Sequence, residues 1–89
     1  MQYINQLLPE LVENSLTDEE LVKLLATRVE ELLRIEPEKL LQLLYRLDVS
    51  EEKAKRALAS ENPSVALAKE IIARELLRQE MRRRYSKKG

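Results

Sequence analysis

The apolar positions of this chain recur with the period of a helix and nowhere with the period of a strand. Ile4, Leu7, Leu8, Leu11 and Val12 follow i, i+3, i+4, i+7, i+8. That spacing predicts a first amphipathic helix over about 2–14. Pro9 lies inside it, so the helix either kinks there or begins close to it. Thr17-Asp18-Glu19-Glu20 has the form of a capping box and opens a second helix over about 18–34. Its apolar side is Leu21, Val22, Leu24, Leu25, Val29, Leu32 and Leu33. Pro37 suits the first turn of a third helix after a short Ile35-Glu36 link. That helix carries Leu40, Leu41, Leu43, Leu44, Tyr45 and Leu47, with only Gln42 and Arg46 clearly polar in its middle. A helix apolar nearly all round is expected at the centre of a bundle.

Ser50 caps a fourth, short helix over about 51–60, with Ala54, Ala57 and Leu58 as its buried residues. Asn62 and Pro63 open a fifth helix reaching about residue 84. Its first half presents Val65, Leu67, Ala68, Ile71, Ile72 and Leu76. Its last turns are basic and lose the stripe, so residues 82–89 are expected to project or fray. The expectation is an all-α fold: one helical domain over 1–89, a compact bundle of about five helices with a long C-terminal helix.

Composition narrows what such a bundle can do. Eighty-nine residues support one thin core. Cysteine and histidine are both absent. Thiol chemistry, disulfides and the ordinary zinc ligands go with them. So does the usual general base near neutral pH. The single glycine, Gly89, rules out a Gly-rich phosphate loop. Tyr3, Tyr45 and Tyr85 are the only aromatics, too scattered for a base-stacking platform. The sequence picks out no catalytic, cofactor-binding or metal-ligating residue, and no cofactor is implied. Adjacent acids such as Glu30-Glu31 and Glu51-Glu52 diverge by about 100° on a helix and form no catalytic pair. No signal peptide or membrane-spanning run is read, so a soluble cytoplasmic protein is expected.

The net charge is zero but unevenly placed. Residues 1–62 carry 8 basic and 13 acidic side chains, a balance of −5; residues 63–89 carry 8 and 3, a balance of +5. That asymmetry suits a protein partner or a second copy of the chain. The run Arg82-Arg83-Arg84 with Lys87 and Lys88 is the plausible contact for nucleic acid or an acidic surface. Its alternative role is a solvated terminus whose cations favour the helix end. Leu21 to Leu25 and Leu40 to Leu44 both match the Leu-x-x-Leu-Leu groove ligand. Any leucine-rich amphipathic helix produces that string, and both copies lie where the core is expected.

Three resemblances converge on residues 40–85. Leu47-Asp48-Val49-Ser50 resembles the Leu-Gly-Val-Ser turn of helix-turn-helix domains. The resemblance implies a recognition helix with Lys53, Lys55 and Arg56 as its contacts. Asp48 stands where those domains usually have glycine, and Glu51-Glu52 would meet phosphate repulsively. The segment from Ser50 through Ala57-Leu58, Asn62 and Ala66 or Ala68 resembles the last two helices of a ubiquitin-associated domain. Leu47-Asp48-Val49 replaces that family's Met-Gly-Phe-like loop, so no ubiquitin-contacting residue carries over. The longest likeness pairs Leu-Tyr-Arg-Leu-Asp-Val-Ser-Glu at 44–51 with the final helix. It resembles a group of small all-helical bacterial proteins with no assigned activity. Tyr45 and Arg46 are expected to form a local corner, Arg46 pairing with Asp48 or a nearby Glu and the Tyr45 hydroxyl anchoring a carbonyl. The functional expectation is a non-enzymatic interaction or adaptor module, self-associating as a homodimer. The alternative is nucleic-acid binding through the 50–58 corner or the basic tail.

Overall fold

A computed structural model describes residues 17–86, with side chains as far as residue 82. The helix expected over 2–14, and the question of Pro9, lie outside the described residues. Four α-helices follow in order: α1 (Asp18–Ile35), α2 (Pro37–Arg46), α3 (Glu51–Leu58) and α4 (Pro63–Ser86). No strand occurs among the described residues.

Two helices start at a side-chain cap and two at a proline. At α1, the Thr17 hydroxyl accepts the Glu20 N–H at 3.2 Å and the Glu20 carboxylate accepts the Thr17 N–H at 3.0 Å. Two donors with no intrahelical acceptor are thereby satisfied reciprocally. The Thr17 N–H holds the Glu20 carboxyl below its ordinary value of 4.5, with the Thr17 hydroxyl and Lys23 adding to the effect. Pro37 and Pro63 occupy first turns, where a missing N–H costs nothing. At α3 the Ser50 hydroxyl accepts the Lys53 N–H at 3.2 Å. This helix stops at Leu58, two residues before the expected end, and the Ser60 hydroxyl donates to the Ala57 carbonyl at 2.6 Å. Helix α4 runs through Ser86, two residues beyond the expected end near 84. Arg, Gln, Glu and Met are strong helix formers, so propensity carries the last turns after the apolar stripe has gone.

The buried residues of α1 are Leu25, Ala26, Val29 and Leu32, one stripe at i, i+1, i+4, i+7. They meet Leu40, Leu43, Leu44 and Leu47 from α2 and its cap, Ala57 from α3, and Leu67, Ala68 and Ile71 from α4. The core is therefore almost entirely leucine and alanine, built from four helices that each contribute a single face.

The centre of the bundle is α4, not α2. The long helix packs against both α1 and α3, whereas α2 packs mainly against α1. This corrects the expectation that the 37–47 helix is core on all sides. Its ten residues are covered from one direction, and Leu41 and Tyr45 point the other way, 60% and 86% exposed. Two other expected core positions are also corrected. Leu58 is 45% exposed, one residue and so about 100° away from buried Ala57. Leu76 is 50% exposed because it lies about 140° around α4 from Ile71. On the core-facing side of α4 past Ile72, the chain offers Glu75, Arg78 and Arg82 instead of leucine. Glu75 is buried, and all three make polar interactions.

Candidate interaction face

The α2–α3 corner determines which side of α2 is free. Asp48 has φ 64, the left-handed conformation that terminates a helix. Around it, the Asp48 N–H donates to the Tyr45 carbonyl at 3.1 Å and the Val49 N–H to the Leu44 carbonyl at 3.0 Å. This pair of bonds is the Schellman ending, with Val49 packed against the core beside Leu44. The conformation that the helix-turn-helix and ubiquitin-associated families obtain with glycine is here taken by aspartate, one of the few other residues that tolerate it.

Arg74 completes the corner from α4. Its Nε donates to the Leu47 carbonyl at 3.0 Å, and one terminal nitrogen lies 3.9 Å from the Asp48 carboxylate. A cation thus meets the negative end of α2 and satisfies a carbonyl that has no intrahelical partner. The expected local corner is corrected in both its parts. Arg74, twenty-seven positions along, takes the Asp48 contact expected of Arg46. It also anchors the carbonyl expected of Tyr45, whose side chain stands in solvent.

With Leu40, Leu43, Leu44 and Leu47 turned inward, two neighbouring rows of α2 face out. Leu41 and Tyr45 form one, four residues apart; Glu38, Gln42 and Arg46 form the row beside it. Ile35, at the α1–α2 junction, is 67% exposed. It shares an open cleft of about 470 Å³ with Glu36, Pro37, Glu38, Lys39 and Gln42. Among the described residues, every other large exposed hydrophobic (Leu24, Leu58, Leu76, Leu77, Met81) is at most half exposed. Scattered half-buried leucines are ordinary surface. Three apolar or aromatic side chains at 60% exposure or more within residues 35–45 are not.

Of the charged sites expected from sequence, Lys53, Lys55, Arg56 and Arg82 are among the described side chains. Lys53, Lys55 and Arg56 are exposed on α3, and Arg56 pairs with Glu52 at 3.3 Å. Helix α3 packs on α4 and makes no extended contact with α2, unlike the paired helices of a helix-turn-helix unit. Arg82 is exposed on α4 and engaged in a polar interaction. Arg83 and Arg84 belong to α4, but their side chains, like Lys87 and Lys88, lie outside the described residues. The structure therefore does not bring the α3 cations and the tail into one described patch. Sequence reasoning missed the outer face of α2. Its only signal was an excess of apolar residues over what one covered face of a ten-residue helix can hold.

A second groove, of about 410 Å³, runs between the first turns of α1 and α4 over Val22 and Val65, edged by Asp18, Glu19, Lys23 and Lys69. Among the described residues no group of three or more acids forms a metal-holding cluster, and no helix is long and apolar enough to cross a membrane. No family model matches the chain, and neither does any curated protein or any solved structure.

Proposed function

We propose that this chain is a non-enzymatic protein-interaction module whose contact surface is the outer face of α2 with Ile35 beside it. One observation carries the reading: Leu41 and Tyr45 stand 60% and 86% exposed on a helix whose opposite face is fully committed to the core. Burying a large apolar side chain is worth about 1.5–3 kcal/mol, so this face loses free energy to solvent that a partner recovers. Tyrosine and arginine are the types enriched at the centres of protein interfaces, and Tyr45 and Arg46 are adjacent here. The flat, open cleft beside them suits a protein surface better than a small molecule.

The test is site-specific photocrosslinking in cells, with a benzophenone side chain at position 41, at 45, or at the exposed control position 52. Discrete adducts from 41 and 45 but not from 52 support the reading. No adduct from either, or an equal yield from 52, overturns it.

The nucleic-acid reading keeps one favourable observation: Lys53 and Lys55 are exposed and make no ion pair among the described residues. Glu51 and Glu52 in the same first turn weigh against it. A gel shift at low salt, with and without residues 82–89, decides it; no shift in either form removes it.

A further inference from the structure

We propose that the occupant of the α2 face is the same face of a second copy, the two α2 helices lying antiparallel across a two-fold axis. The inference rests on the interaction reading above and adds to it the partner and the geometry. It comes from the order of side chains along the exposed rows. In an isologous contact each residue meets its counterpart reflected through the centre of the pair. Reversing the row Glu38, Gln42, Arg46 sets Glu38 against Arg46 of the other copy, Gln42 against Gln42, and Arg46 against Glu38. Opposite charges meet at both ends and a neutral amide meets its like in the middle. Reversing the row Leu41, Tyr45 sets leucine against tyrosine twice, an aliphatic–aromatic contact that excludes water from the centre.

Both rows reverse about nearly the same point. The midpoint of Leu41 and Tyr45 is position 43, and that of Glu38 and Arg46 is position 42. The two differ by about 1.5 Å along the helix axis. One two-fold therefore satisfies the apolar and the charged row together. The charges are also available. Glu36 is taken by Lys39 at 3.3 Å, whereas Glu38 and Arg46 make no ion pair among the described residues. A parallel pair about a two-fold would set the apolar row of one copy against the polar row of the other, so the pattern selects the antiparallel arrangement.

A single-helix face is smaller than the standard patch of about 800 Å² per partner, so the dimer is weak and is sought at roughly 100 μM chain. Sedimentation equilibrium of the full chain is expected to show a monomer–dimer equilibrium there. Leu41→Lys abolishes it. Glu38→Arg alone and Arg46→Glu alone each turn two attractions into two repulsions and weaken dimerisation by about tenfold. The double variant Glu38→Arg/Arg46→Glu restores it, and so does mixing the two single variants in equal amounts, because each then carries what the other lacks. All three substitutions are at exposed positions, and circular dichroism of every variant establishes that the helices are intact.

A monomer at that concentration in the wild type overturns the proposal. So does a dimer that survives Leu41→Lys, or one that neither the double variant nor the mixture restores. Photocrosslinks from position 41 to a different protein, with a monomeric wild type, overturn the self-pairing and leave the interaction reading standing. Absence of both removes the two together.

Discussion

Leu40 and Leu41 are neighbours in sequence and opposites in fate. One is 1% exposed and the other 60%. The same contrast divides the whole of α2, with Leu43, Leu44 and Leu47 inward, Gln42, Tyr45 and Arg46 outward. Local sequence does not distinguish the sides, because a leucine is as good a core residue on either. The difference is made elsewhere, by α1 covering one side and by Arg74 holding the end of α2 against α4. The inner side belongs to folding and the outer side is left for recognition. Substitutions on the two sides should therefore separate stability from association.

The largest effect is expected on the inner side. Leu40→Ala removes a fully buried side chain from a thin core and should cost about 2–5 kcal/mol, read from urea unfolding. A loss below 1 kcal/mol would mean that α2 is only loosely docked. Arg74→Met keeps the aliphatic stem but strips the Leu47 carbonyl of its donor. The expected cost is about 1–3 kcal/mol, and amide exchange at Asp48 and Val49 should quicken more than exchange within α1. Thr17→Ala acts one helix away, on the element that covers α2, and should cost about 1 kcal/mol through the lost cap. Because the Glu20 carboxyl titrates lower in the folded chain, its contribution is complete above its ordinary value of 4.5 and lost as pH falls through the depressed one. Glu20→Gln should flatten that acid limb; an unchanged acid limb would break the link to the cap.

Asp48→Gly tests the corner with the opposite sign. Glycine meets no Cβ penalty at φ 64, so a gain of up to about 1 kcal/mol in stability is expected, less whatever the long contact with Arg74 contributes. The smallest effect is expected on the outer side. Leu41→Ala and Tyr45→Ala should each leave monomer stability within about 0.5 kcal/mol of wild type while weakening self-association. A large loss of stability at either position would abolish the distinction between the two sides.

Much of the architecture was legible in the order of residues, for reasons that are local. The caps at Thr17 and Ser50 and the prolines at 37 and 63 act on their own next turn, so their positions marked helix starts directly. The stripes of α1 and of the first half of α4 were legible because polar residues occupy the remaining sides. Helix α2 was misread because nothing polar marks Leu41 and Tyr45 as outward. The Arg74 contact with Leu47 spans twenty-seven positions and follows no spacing rule. The outer face emerged only when the covering helices were in place, because exposure belongs to the assembly and not to the residue. The α3 cations were legible as charges, but their packing partner was not.

The central position of α4 has a consequence for the order in which the chain takes shape during synthesis. Of the four helices described, α4 leaves the ribosome last, yet α1 and α3 both pack against it. Until Leu67, Ala68 and Ile71 emerge, the leucines of α1 have only α2 to close over, and the alanines of α3 lack their main partner. The α1–α2 pair can form early, but the part of its apolar surface that α4 covers stays open until that helix follows. Commitment to the native state thus waits for α4, the helix that completes the core.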